Sequence, residues 1–243
     1  MKVAAIIQAR MGSTRLPGKV IEDIGGKTML ARVVERTQRA TSLSEVVVAT
    51  TFETDAEAIV AECARLGVRV FRGDEEDVLD RYYQAAQTCR AEAIVRITAD
   101  CPLIDAGVID KVVCAFLESK PDYASNLLER TYPRGLDTEV MALSALERAW
   151  QKATEFYHRV HVTSYLYQNA DQFKLLSVTG DRDYSYYRWT VDTPEDLAFV
   201  REVYKHLNND DAFGWTNVLD LLDREPALVE MNRAIQQKAL HEG

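Results

Sequence analysis

No stretch of this chain approaches the roughly 20 consecutive apolar residues that a bilayer-spanning helix needs, although 47% of its 243 residues are hydrophobic. The amino-terminal apolar segment is too short for a secretory signal and is broken by Gln8 and Arg10. Cysteine is scarce. Cys63, Cys89, Cys101 and Cys114 form no C-x-x-C pair, match none of the common zinc spacings, and predict reduced thiols in a cytoplasmic protein. Positive charge is in deficit: 38 acidic residues face 29 lysines and arginines, a net charge of -9. That balance argues against a nucleic-acid partner and against docking on an anionic membrane. Pro/Gly-rich linkers, internal repeats and low-complexity segments are missing as well. What remains is one large domain with an ordinary core.

Within it, strand and helix signals alternate over residues 1–125. Strands are predicted at Val3–Gln8, Glu45–Thr50, Val68–Phe71, Ala93–Thr98 and Asp122–Ser125. Helices are predicted at Lys27–Arg39, Asp55–Leu66, Glu76–Thr88 and Ala106–Ser119, where apolar residues recur at helical spacing. Strands bridged by helices of this length imply a mostly parallel sheet in three layers. Residues 126–207 are less regular. Strands are expected at Gly135–Met141, Phe173–Val178 and Tyr186–Val191, and helices at Ser144–Ala153, His158–Gln168 and Pro194–His206. Residues 208–243 read as a helical tail, Trp215–Glu225 followed by Ala227–Leu240.

The most telling stretch leaves the first strand: Gln8-Ala9-Arg10-Met11-Gly12-Ser13-Thr14-Arg15-Leu16-Pro17-Gly18-Lys19. It holds three cations and no acid in an acidic protein. Gly12 and Gly18 allow close backbone approach to a ligand, and Pro17 stiffens the turn. Fixed amides beside converging cations suit a polyphosphate. The loop is not a Walker motif, because five residues separate its glycines and Val20 follows Lys19. The dinucleotide pattern G-x-G-x-x-G is absent too.

In open parallel sheets, ligands bind beyond the carboxyl ends of the strands. Three further polar segments fall there: Arg72-Gly73-Asp74, Thr98-Ala99-Asp100-Cys101-Pro102, and Asp192. Asp100 is read either as a magnesium ligand, since Mg²⁺ takes one or two carboxylates plus phosphate and water, or as a carboxylate capping a helix or pairing an arginine. Asp192 is either a second metal ligand or a charge at the start of the Thr193-Pro194 helix. Gly73 offers close approach to a base or ribose; the alternative for Arg72–Arg81 is an acidic helix start. In the irregular half, Arg134, Asp137, Glu139, Arg159 and His161 are candidates for holding an acidic acceptor, although a lone histidine such as His161 is also an ordinary packed residue.

Together, residues 8–19, Ile97–Asp105 and Val191–Asp196 resemble the cytidylyltransferase superfamily that activates acidic sugars such as Kdo and sialic acids as CMP conjugates. Within it, Arg72–Tyr83, Tyr132–Val140 and His161-Val162-Thr163 are most similar to the spore coat polysaccharide biosynthesis protein F group. The likeness spans roughly residues 1–207. It implies a nucleotide-diphospho-sugar transferase (GT-A-like) fold, with a small inserted layer for dimerisation and acceptor binding, and often a homodimer. It also implies CTP and Mg²⁺ as requirements. By position, Arg10 and Lys19 would meet the CTP phosphates, with Gln8, Ala9, Met11, Gly12, Ser13 and Arg15 around the nucleotide. Arg72, Gly73, Thr98 and Ala99 would complete that pocket, and Asp100 and Asp192 would hold metal. Arg10, Lys19 and Asp100 are the expected catalytic residues. At this level the expected activity is CMP transfer to an acidic acceptor with loss of pyrophosphate. A nucleotide-sugar glycosyltransferase and a non-catalytic nucleotide sensor stay open.

Overall fold

A computed structural model describes residues 1–237. In chain order the elements are β1 (Val3–Gln8), the small hairpin β2 (Asp23–Ile24) and β3 (Lys27–Thr28), α1 (Met29–Gln38), β4 (Glu45–Thr51), α2 (Glu57–Leu66), β5 (Arg69–Gly73) and α3 (Val78–Cys89). Then follow β6 (Ala93–Thr98), α4 (Ala106–Ser119), β7 (Tyr123–Ser125), β8 (Glu139–Ala142), α5 (Leu143–Lys152), α6 (Phe156–His161), α7 (Ser164–Gln168) and β9 (Leu175–Ser177). The chain closes with α8 (Pro194–His206), α9 (Trp215–Arg224) and α10 (Ala227–Glu230). Seven strands form one sheet in the order β5-β4-β1-β6-β8-β7-β9. Only β8 runs against its neighbours β6 and β7; the other pairings are parallel.

The central strands are apolar on both sides because helices cover both faces. Val3, Ala5 and Ile7 of β1 pack with Leu30, Val33 and Val34 of α1 and Ile109 and Val112 of α4. Ala4 and Ile6 face Leu79, Tyr82 and Ala86 of α3 and Leu146 of α5. A third cluster joins Trp189 and Val191 to α8 and α9 through Val200, Tyr204, Val218 and Leu222. The three-layer, mostly parallel α/β architecture expected from sequence is the one observed.

Four elements differ from expectation. Lys27-Thr28 pairs into the hairpin, so α1 starts at Met29 with Thr28 as its N-cap. The region 158–168 is two short helices, broken at Val162, whose φ of 55° cannot continue a helix. Residues 186–191 make no ladder: Trp189 N donates to Arg134 O at 2.7 Å and Val191 N to Asp100 O at 2.8 Å, leaving one isolated bridge between Arg134 and Arg188. The strand expected from Gly135 begins only at Glu139, because Gly135, at φ 110°, turns the chain against Trp189. Of the expected tail helix Ala227–Leu240, only Ala227–Glu230 is formed; residues 231–237 are turn and irregular chain, and residues 238–243 lie outside the described residues.

Candidate active site

The loop after β1 folds back on itself before it meets the sheet again. Gly18 N and Ser13 N both donate to Met11 O, at 3.0 and 2.9 Å. Gly18 adopts φ 70° as it enters the 3-10 turn Lys19–Ile21, which aims the Lys19 side chain under the loop. There its ammonium lies 2.9 Å from Asp100 Oδ2, 2.9 Å from Asp192 Oδ1 and 2.7 Å from Val191 O. Lys19 is only 8% exposed. Burial opposes its charge, yet the two carboxylates outweigh that and raise its pKa. For Asp100 burial pushes the pKa up, but Lys19 and the Thr98 hydroxyl, 2.7 Å from Oδ1, hold it well below the usual carboxylate range.

Asp192 collects more cations on its other oxygen: Arg15 at 3.0 Å and Arg188 at 2.8 Å. Arg188 also grips Asp196, with both contacts at 2.9 Å. Asp196 is the capping-box residue of α8, and it accepts the backbone amides of Asp192 and Thr193. Asp192 was expected at the end of a strand; it follows instead an extended segment that bonds to Arg134 and Asp100 without a ladder.

The other candidates divide into three groups. Arg10 is exposed and faces Glu75 at 3.6 Å, above Gly12, where a Cβ would meet Glu75 Oε1 at 3.0 Å. Thr98 sits on Asp100 as above, and Ala99 N donates to Gln8 O at 2.9 Å. Arg72 is bonded to the carbonyls of Thr51, Phe52 and Glu53 and to Glu57, so it ties β5 to the loop after β4. Gly73, buried beneath Arg81, has no room for a Cβ: it would lie 3.0 Å from Arg81 Cγ.

On the acceptor side, Asp137 is held bidentately by Arg130 at 2.6 and 3.1 Å. Arg134 stands near that pair and near Asp192, makes no ion pair among the described residues, and has its pKa lowered by burial and by Arg130. It lines a cavity of about 150 Å³ together with Tyr186, Arg188 and Asn232. Glu139 and Arg159 lie elsewhere. Glu139 pairs with Arg96 and accepts from Tyr123 at 2.6 Å, with Gln8 Oε1 3.4 Å from Arg96. Arg159 clamps Asp77, the N-cap of α3, at 3.0 and 2.6 Å. His161 packs its ring 4.9 Å from that of Tyr157.

A cytidylyltransferase family model matches residues 4–223, nearly the whole span that builds this constellation. The chain belongs to the cytidylyltransferase family. It is a CTP-dependent nucleotidyltransferase. A solved cytidylyltransferase from Leptospira borgpetersenii is similar at TM-score 0.92 and 36% identity, over 98% of this chain and all of that one. The spore coat polysaccharide biosynthesis protein SpsF of Bacillus subtilis is 31% identical over 91% of this chain and 94% of its own length. The 3-deoxy-manno-octulosonate cytidylyltransferase of Geobacter sulfurreducens is 42% identical, but over 49% of this chain and 47% of that protein.

For this cytidylyltransferase Asp100 and Asp192 are oxygen donors of the type a hard divalent cation takes, and here they are paired with Lys19, Arg15 and Arg188. Two carboxylates converge on one positive centre, with Val191 O and the Thr98 hydroxyl beside them. Among the described residues no group of three or more His, Cys, Asp or Glu could hold a metal. A two-carboxylate set is what Mg²⁺ uses when phosphate oxygens and water complete its shell. Two site residues escaped sequence reasoning. Arg188 lies in the segment Tyr186–Val191, which reads in the sequence as a strand. Arg81 is fully buried on α3, with Nη1 on Asp74 O at 2.7 Å, and its Nε and Nη2 have no hydrogen-bond partner among the described residues. For Arg81 the available signal was its position one turn into the helix that follows Gly73.

Proposed function

We propose that this cytidylyltransferase transfers CMP from CTP to a small acidic sugar or sugar-like acid of surface polysaccharide synthesis. An acceptor oxygen attacks the α-phosphorus in line, the bond to the bridging β-phosphate oxygen breaks, and the products are the CMP conjugate, pyrophosphate and one proton. The observation that carries this reading is the Lys19 ammonium bridging Asp100 and Asp192 beneath a loop bearing Arg10 and Arg15. The loop amides with Arg10 and Arg15 would bind the triphosphate, and Lys19 would steady the departing charge. Thr98 fixes the Asp100 rotamer, and Arg188 that of Asp192. Asp100 and Asp192 would hold Mg²⁺, which supplies charge neutralisation and orientation at the phosphates when bound.

The acidic acceptor is supported by Arg134, a half-buried guanidinium that has no ion-pair partner among the described residues and faces the cavity beside Arg188. Such a group awaits an anion, and a carboxylate fits it bidentately. Asp137, fixed by Arg130, would orient acceptor hydroxyls. The similarity to SpsF and to a 3-deoxy-manno-octulosonate cytidylyltransferase supports the same class of acceptor. A homodimer belongs to this proposal and is checked by light scattering. A pyrophosphate-release screen tests the activity, with four nucleoside triphosphates against a panel of sugar acids and neutral sugars, with and without Mg²⁺. Release confined to CTP, Mg²⁺ and an acidic acceptor is expected. Turnover with neutral sugars alone, or of nucleotide sugars without pyrophosphate, overturns it.

A further inference from the structure

The segment after α9 runs beyond the span of the family match, yet it reaches the site. Asn232 Nδ2 donates to Arg188 O at 2.9 Å and to Asp196 Oδ1 at 3.0 Å. Gln237 Oε1 accepts from Arg188 Nη1 at 2.7 Å. Asn232 is 4% exposed and Asp196 0%. The carboxylate of Asp196 is therefore consumed wholly inside the protein, by Asn232, by Arg188 and by the amides of Asp192 and Thr193. It meets no solvent and reaches the reaction only through its neighbours. Arg188 Nη2, which donates to Asp196 Oδ2, also donates to Asp192 Oδ2 at 2.8 Å, so one nitrogen ties the two carboxylates together.

We infer that Asn232 is a positioning residue for nucleotidyl transfer: through Arg188 and Asp196 it sets the orientation of Asp192, so the carboxy-terminal segment is a working part of the site. This rests on the reading in which Asp192 serves CMP transfer. The surroundings favour a role of this kind. Leu222, Leu228 and Val229 pack in the same cluster as Trp189, so a leucine at 232 would suit the packing. An asparagine buried there is costly unless bonded, and its amide hydrogens go to the two residues that hold Asp192. The segment also lines the cavity that receives Arg134, through Asn232 and Gln237. Partners one shell away from a metal or reacting group typically alter affinity or rate by 10- to 100-fold.

The test is a Mn²⁺ titration, read by electron paramagnetic resonance with CTP present, on wild type, Asn232→Leu, Asp192→Asn and the double variant. Lys205→Ala serves as control, since it removes an exposed pair with Glu202 away from the cavity. We expect Asn232→Leu to weaken Mn²⁺ binding about 10-fold while melting stays cooperative. In the Asp192→Asn background the same change has no further effect, because the residue acts through Asp192. Lys205→Ala matches wild type. Should Asn232→Leu not fold, the isosteric Asn232→Asp, which sets a carboxylate against Asp196, gives the same reading. Unchanged Mn²⁺ affinity in Asn232→Leu, an equal loss in the Asp192→Asn background, or no loss in Asp192→Asn itself overturns the inference. Failure of wild type to release pyrophosphate with any acidic acceptor overturns the proposed reaction instead, and the Mn²⁺ titration still reads the alignment of Asp192.

Discussion

Gly135 and Trp189 touch backbone to backbone: a Cβ built on Gly135 would lie 2.6 Å from the Trp189 carbonyl carbon, at φ 110°. This contact brings Arg134 beside Arg188 and so connects the acceptor side to the aspartates. Gly135→Ala must strain the backbone and push Trp189 away. We expect a loss of about 3 kcal/mol in urea unfolding, within the range of backbone strain added to a steric clash. Loss of less than about 0.5 kcal/mol would show that the contact yields freely.

Lys19 stands between Asp100 and Asp192 and pairs with both. Replacing it by alanine removes a preorganised charge and leaves two carboxylates facing each other. Lys19→Ala and Asp100→Asn should each lower pyrophosphate release by about 10²- to 10³-fold. Near-normal turnover in either variant removes that residue from the transfer chemistry.

These two residues were legible in the sequence because their signals are local. Lys19 closes a glycine- and cation-bearing loop, and Asp100 follows a buried strand that Pro102 stops. The parallel sheet was legible for the same reason, since strands apolar on both faces alternate with amphipathic helices. Arg188 was not. Its partners Asp192 and Asp196 are near in sequence, but Asn232 is 44 residues away, and only the chain path brings them together. The segment around Trp189 has the alternation of a strand, yet its amides bond to Arg134 and Asp100 in place of a ladder. The break at Val162 is equally hidden, because Val162 and Leu166 are both buried and keep helical spacing across it. Glu139 and Arg159 were read as polar and available; each is instead bound within the fold, to Arg96 and Asp77.

On the proposed reading Arg134 serves the acceptor and not the nucleotide. It lies beside Asp137 and Arg188 and lines the cavity with Tyr186 and Asn232, whereas Arg10 faces Glu75. Arg134→Ala should raise KM for the acidic acceptor by roughly 10- to 100-fold, the worth of a charge-assisted pair. The KM for CTP should change less than about threefold. Equal increases for both substrates would place Arg134 at the nucleotide.

The anchor beneath the β2–β3 hairpin titrates with the fold. Asp211 is 7% exposed and bonds Arg32 at 2.7 Å and Lys27 at 3.0 Å; Arg32 is fully buried. Burial alone would raise the Asp211 pKa, but Lys27 and Arg32 outweigh it and lower it. Because the folded value lies below the unfolded one, near 3.9, this carboxylate contributes stability at every pH above the unfolded value. That contribution fades as pH falls through the folded value. In Asp211→Asn the term is gone, while the partners of Arg32 at Ile24 O, Gly25 O and Asn209 O remain. The stability gap between wild type and Asp211→Asn should therefore be constant from pH 7 to 5 and shrink steadily below about pH 4. Urea midpoints measured across that range check it, and a gap that widens with acid contradicts the assigned sign.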